Sequence, residues 1–293
     1  MSELLFGPGG IPLSATDKTN PGGVLRCAEL GLGCMELEFV YGANITAEQA
    51  AKTRAAALET GVKLSVHAPY FINLNSKEEE KVVASITRIL QSARKGAAAG
   101  ADQVIFHAAF YLKDDPEAVF QIVKKHLTDI RDTLLKEKLG HVILRPELTG
   151  KPSQFGTLEE LIRLSREVEG VLPCVDFSHY YARYAGRYKE YDDYCHVLET
   201  IGAGLGDDTL KTLHIHLSGI EYTPKGERKH LVASKSDFQY KDVLRSLKEF
   251  GAGGRVICES PNVEEDAQLF KKTYGELEKG RKKLKNANKK ARQ

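Results

Sequence analysis

The chain has 293 residues, 42% of them hydrophobic and 28% charged, a balance that suits a folded globular protein and excludes a low-complexity or collagen-like one. No apolar run approaches the ~20 residues of a membrane-spanning helix, and the opening MSELLFGPGG lacks the basic and apolar regions of a signal peptide, so a cytoplasmic protein with no membrane partner is expected. The net charge of +2 is unevenly placed: Lys279 to Gln293 carries eight Lys and Arg and no acid, which leaves 34 basic against 40 acidic groups in residues 1–278.

An acidic body with a basic end divides the chain into a catalytic domain over 1–278 and a tail over 279–293. The tail is expected to be disordered and to contact nucleic acid by displacing counterions. The cysteines, Cys27, Cys34, Cys174, Cys195 and Cys258, are odd in number, widely spread and never in C-x-x-C spacing. They indicate reduced thiols rather than a disulfide framework or a cysteine zinc knuckle.

In chain order, Leu4 to Phe6 is a short apolar run entering the loop GPGGIP, and a helix is predicted from Pro21 to Leu32. From Cys34 to Val40, Met35, Leu37 and Phe39 alternate with Glu36 and Glu38, the period of a strand, with Glu38 at its end. Thr46 and Gln49 form a capping box before an Ala-rich helix closed by Gly61. The strand beginning at Leu64 stops at His67 and opens into the aromatic loop of Tyr70, Phe71 and Asn73, after which Ser76 and Glu79 suggest another capping box. Apolar residues at helical spacing then run to Ala99, with Gly100 as the stop.

Gln103 to Phe106 leads to His107, and Asp115 with Pro116 starts a helix to about Lys138. His141 to Leu144 leads to Glu147; Thr157 and Glu160 cap the following helix. Val171 to Val175 leads to Asp176 and His179. A helix over Tyr191 to Ile201 precedes the strand Leu213 to Leu217, and Arg255 to Cys258 leads to Glu259, before a closing helix capped by Asn262 and Glu265. Eight strand-then-helix units argue for a single α/β domain, a parallel eight-stranded (β/α)8 TIM barrel, and the G-x-G-x-x-G of a dinucleotide-binding sheet is missing.

The strand ends carry the chemistry. His67, His107, Glu147, Asp176, His216 and Glu259 recur at intervals of 40, 40, 29, 40 and 43 residues, one per unit. In a barrel such positions converge on one mouth, where active sites of this fold are built. Imidazoles and carboxylates without thiolates suit Zn2+, and also Mn2+ or Fe2+. There are more ligands than one tetrahedral ion needs, so two or three ions bridged by a carboxylate are expected, with Glu147 as the bridge. Ions so placed favour phosphoester hydrolysis. A lone strand-end histidine is more often structural, but six such positions in six consecutive units reverse that. His126 and His196 fall in helices and His141 starts its strand, so none receives a role; His214 shares a face with His216 and is expected to support it or the core.

HAPYFINLNS at His67, E-L-T-G at Glu147, C-V-D-F-S-H ending at His179, H-I-H-L at His214 and C-E-S-P at Glu259 resemble endonuclease IV, apurinic/apyrimidinic endonuclease family 2 of the xylose isomerase-like TIM barrel superfamily, over about residues 1–275. The resemblance implies a monomeric trinuclear zinc enzyme of base-excision repair, cleaving double-stranded DNA 5′ to an abasic site with the damaged nucleotide turned out. It implies that His67 and His107 bind one ion, that Glu147 bridges it to a second held by Asp176, His216 and Glu259, and that His179 and His230 hold a third. Tyr70, Phe71 and Asn73 correspond to the loop that enters the DNA, in agreement with the general use of aromatic wedges beside extruded nucleotides.

Three departures stand out. The family's D-R-H is E-R-K-H here, Glu227 to His230, so Arg228 occupies the position of the metal-binding Asp and Glu227 replaces it only if the loop shifts. H-P-G becomes H-A-A at His107 to Ala109, and G-E-G becomes S-K-S-D around Lys235. The competing reading is a sugar isomerase or epimerase of the same superfamily, with one or two metals and with Glu147 and Glu259 moving a proton on a carbohydrate.

Overall fold

Each buried run that stops at a histidine or an acid forms one stave of a barrel. The computed structural model describes the backbone of residues 3–290 and the side chains of residues 3–277. In chain order the elements are β1 (Leu4–Pro8), α1 (Asn20–Glu29), β2 (Cys34–Glu38), α2 (Ala47–Thr60), β3 (Lys63–His67), α3 (Glu79–Ala99), β4 (Ala101–Phe106), α4 (Pro116–Lys136), β5 (Ile143–Pro146) and α5 (Leu158–Glu167). There follow β6 (Cys174–Asp176), α6 (Phe177–Arg183), α7 (Tyr191–Leu205), β7 (Leu213–Leu217), β8 (Gly219–Thr223), β9 (Gly226–Leu231), α8 (Tyr240–Glu249), β10 (Gly254–Cys258) and α9 (Glu264–Lys290).

Two parallel four-stranded sheets, in the orders β1-β10-β7-β6 and β2-β3-β4-β5, are joined by the bridges Gly9 to Glu36 on one side and Leu144 to Val171 and Glu147 to Cys174 on the other. The result is the expected (β/α)8 barrel. Its helix-facing strand residues, among them Val66, Val104, Leu144, Val175, Ile215 and Val256, are buried against the helices, and each such side chain contributes roughly 1.5–3 kcal/mol by leaving water. No helix among the described residues is long and apolar enough to cross a membrane. The side chains of the basic segment 279–293 lie outside the described residues.

Local signals set most boundaries. The capping boxes of Thr46 with Gln49 and Thr157 with Glu160 both form, Asp115 accepts from the Ala118 amide with Pro116 in the first turn, and Gly61 and Gly100 end their helices at φ 77 and 95°. The Ser76 to Glu79 box does not form. Ser76 Oγ accepts from the nearer Glu78 amide at 3.2 Å, so the chain spends that hydroxyl on a turn and α3 begins at Glu79 without a side-chain cap. Asn262 also departs from a simple cap: its amide nitrogen donates to Glu265 and Asp266, at 3.3 and 3.0 Å.

The antiparallel hairpin β8–β9, inserted between β7 and α8, has no counterpart in the eight expected units. It rises beside the mouth of the barrel and carries Glu227 and His230.

Candidate metal centre

Glu147, directly beyond β5 and 1% exposed, is the centre of the site. Its Oε2 lies 3.3 Å from His67 Nε2 and 3.1 Å from His107 Nε2; its Oε1 lies 3.1 Å from both His179 Nδ1 and His216 Nδ1. Four imidazoles delivered by β3, β4, the first turn of α6 and β7 therefore surround one carboxylate. Burial by itself would raise the Glu147 carboxyl, but His107 and His216 outweigh it and hold the group well below the ordinary carboxylate range. Burial likewise opposes ionisation of Glu259, and His216 and His230 pull it down to about 2.

Asp176 ends β6 and at the same time caps α6, accepting the His179 amide on Oδ1 at 2.7 Å. This use of one oxygen explains the D-x-x-H spacing: the cap fixes the first helical turn, which carries His179 back over the mouth. The other oxygen, Oδ2, is buried without a hydrogen-bond partner, as is Glu259 Oε2. An orphaned buried carboxylate oxygen is costly unless a cation satisfies it.

Four groups of donor atoms result: a fully buried one of Cys174, His214 and His216, and three at the mouth, namely His67, His107 and Glu147; Glu147, Asp176, His216 and Glu259; and His179, Glu227 and His230, with the donor atoms of each group within 4.8 Å of one another. All seven strand-end and first-turn positions singled out in the sequence, together with His230, are thus brought together. The three sets at the mouth offer nitrogen and carboxylate oxygen without thiolate, two of them share Glu147, and they fit Zn2+ or Mn2+.

The third set resolves the E-R-K-H departure. In β9 Glu227 pairs with Tyr222 and Lys229 with Glu221, so Arg228 is the extra residue of a β-bulge. Residues three apart on an unbroken strand face opposite ways. The bulge absorbs one residue and returns Glu227 to the face of His230, with Glu227 carboxylate oxygens 3.8 Å from His230 Nε2 and 3.5 Å from His179 Nε2. Arg228 turns outward to Glu221 at 2.5 Å. Glu227 therefore stands where the aspartate was missing. Gly150, the last residue of E-L-T-G, makes room for it: the Glu227 amide donates to Gly150 O at 2.8 Å, and a Cβ at Gly150 would lie 2.6 Å from Glu227 Cβ.

A cleft of about 510 Å3 opens above these groups, lined by Glu38, His67, Tyr70, His107, His179, Glu227, His230 and Glu259 among others. Tyr70 stands over the His67 ring at 5.9 Å and is 58% exposed; Phe71, 62% exposed, lies outside the cleft with Arg88 at 6.0 Å from its ring. Asn73 is placed differently. Its Oδ1 accepts the amides of Asn75 and Phe110, tying two loops together instead of facing the cleft. Glu38, the exposed last residue of β2, does line the cleft.

Sequence reading missed Glu36. It belongs to the same alternation as Glu38 but points into the barrel, where Oε2 accepts from Ser65 Oγ at 2.7 Å and lies 3.0 Å from His214 Nε2. The signal was present, since Glu36 with Glu38 and His214 with His216 are both period-two pairs.

A family model for xylose isomerase-like TIM barrels matches residues 24–283, and the chain belongs to that family. An uncharacterized protein of Methanocaldococcus jannaschii is 45% identical over 94% of this chain and 98% of its own length. A probable endonuclease 4 of Symbiobacterium thermophilum is 28% identical over 81% of this chain and 87% of its own. Among solved structures, endonuclease IV from Thermus thermophilus aligns with a TM-score of 0.69 at 20% identity, covering 93% of this chain and 99% of that one. A D-tagatose 3-epimerase-like protein aligns with the same TM-score at 18% identity, covering 97% and 99%. At these identities the two structures share the fold.

Proposed function

We propose that this member of the xylose isomerase-like TIM barrel family is a metal-dependent phosphodiesterase that incises double-stranded DNA on the 5′ side of abasic sites. The observation that carries the reading is the group of three adjoining donor sets built around Glu147. Bound ions would supply Lewis-acid activation of water and neutralisation of phosphate charge.

The chain's own residues set the rest. Glu147 has two imidazole nitrogens at 3.1 to 3.3 Å from each oxygen, and it belongs to two of the donor sets. Asp176, Glu259 and Glu227 supply the negative charge that keeps several cations close. The cleft admits one extruded sugar phosphate, and Tyr70 at its edge offers an aromatic face to fill the gap left in the duplex.

A second reading, a sugar epimerase, is favoured by one feature: Glu38 places an additional carboxyl in the cleft, which could bond a sugar hydroxyl. Against it, Glu147 belongs to two donor sets at once, a place that ties it to bound ions rather than to a substrate proton. Incubating the purified protein with an abasic-site duplex, with and without chelator, tests the proposal. Incision that chelator abolishes and Zn2+ or Mn2+ restores is expected. Absence of incision by metal-loaded protein, with turnover of a ketose instead, overturns it.

A further inference from the structure

Beneath the metal centre the barrel is polar where branched aliphatic side chains usually fill it. Arg145, 1% exposed, donates to Gln103 Oε1 at 3.0 Å and to the carbonyls of Pro173 and Thr212 at 3.0 and 2.7 Å. Gln103 meets His214 Nδ1 at 2.9 Å, and His214 Nε2 meets Glu36 Oε2 at 3.0 Å. Ser65 Oγ donates to the same oxygen. Glu36, His214 and His216 are fully buried.

The row ends on the metal centre. Glu36 Oε1 lies 3.0 Å from His216 Nε2, and each of these two buried atoms is otherwise unpartnered. His216 therefore faces Glu147 and Glu259 with Nδ1 and Glu36 with Nε2. Burying a carboxylate and a guanidinium in a barrel interior costs several kcal/mol of desolvation per ion and adds little stability over an apolar pair. A row of this kind is explained by what it does for the group at its end.

We infer that Glu36 is a positioning residue for the metal centre: it holds His216 with its proton on Nε2, so that Nδ1 would be free to serve as a ligand atom in the set of Glu147, Asp176 and Glu259. A carboxylate behind a ligating imidazole fixes its tautomer and raises its donor strength. Ser65 and His214 orient the Glu36 carboxylate, and Gln103, itself held by Arg145, orients His214. The inference rests on the metal-centre reading of the site and is independent of the substrate.

The experiment titrates metal-free protein with Co2+, following visible absorption and metal content, for the full chain and its Glu36→Gln variant. The expected result is about 10- to 100-fold weaker affinity at one site with an altered Co2+ spectrum, while the sites of His67 with His107 and of His179 with Glu227 and His230 fill as before. If Glu36→Gln does not fold, Ser65→Ala, which removes a single donor to the same carboxylate, carries the comparison and should weaken that one site to a lesser degree. Unchanged affinity and spectrum overturn the inference, as does equal weakening of every site with a lowered thermal midpoint. Failure of the unaltered chain to bind Co2+ would instead overturn the metal-centre reading.

Discussion

Replacing Gly150 with alanine should remove one metal ion and leave the others. The added Cβ would stand 2.6 Å from Glu227 Cβ, 2.9 Å from Glu227 Oε2 and 3.0 Å from His179 Cδ2. Carbon atoms rest at about 3.5–4.0 Å, so the hairpin must retreat by roughly 1 Å. The hairpin backbone is pinned at the same place by the Glu227 amide on Gly150 O, so retreat breaks that bond or tilts β9. Metal sites tolerate about 0.2 Å in ligand distance, and the set of His179, Glu227 and His230 lies on both sides of the intruding methyl. Overpacking of this kind costs about 1–3 kcal/mol, which for a domain of this size lowers the thermal midpoint by roughly 2–4 °C per kcal/mol. Metal analysis after dialysis, beside a thermal melt, reads both effects. Retention of every ion at unchanged affinity would refute the claim that Gly150 is there to admit Glu227.

Glu147→Gln should abolish chelator-sensitive incision and lower metal content by more than one ion, because the residue serves two donor sets; circular dichroism should remain that of a folded barrel. Deleting Arg228 removes the bulge residue and places Glu227 two before the histidine on a regular strand, so metal content should be retained, whereas Glu227→Ala should lose the third ion; loss of that ion on the deletion would contradict the bulge argument. Tyr70→Ala should weaken binding of an abasic duplex by about 1–3 kcal/mol, the worth of one aromatic stack, with metal content unchanged, as seen by anisotropy against metal analysis. Trimming residues 279–293 should flatten the salt dependence of DNA binding without altering metal content, and an unchanged slope would show that the eight basic residues do not contact DNA.

Much of this molecule was legible before its structure. Every barrel strand but β1 is a buried run that stops at or leads to an ionisable group at the mouth, and Thr46, Asp115 and Thr157 start their helices by local capping alone. The resemblance to endonuclease IV depended on those same strand-end residues, and the structure brings them into one cluster. What escaped depends on pairing between distant segments. The run GIEYTPKGERKHL alternates on either side of a Pro-Lys-Gly turn and could have been read as a hairpin, but the bulge at Arg228 exists only in the register of β9 against β8. For that reason the sequence offset put Arg228 in the place of the missing acid, whereas Glu227 is the acid that lies beside His179 and His230. Glu36 escaped for a related reason. In M-E-L-E the acids looked like the solvent face of a half-buried strand, whereas in a barrel both faces are covered and the acid faces inward. Ser76 shows the limit of capping rules, since its hydroxyl found a nearer amide.

The central claim is that three adjoining donor sets built around Glu147 hold a multi-ion centre that cleaves phosphodiesters. Metal content per chain, measured on the same preparation that is assayed on an abasic-site duplex, tests it most directly. The account predicts three ions of Zn2+ or Mn2+ per chain, with incision lost and regained in step with their removal and return. A single tightly held ion, with no incision at any metal loading, would contradict it.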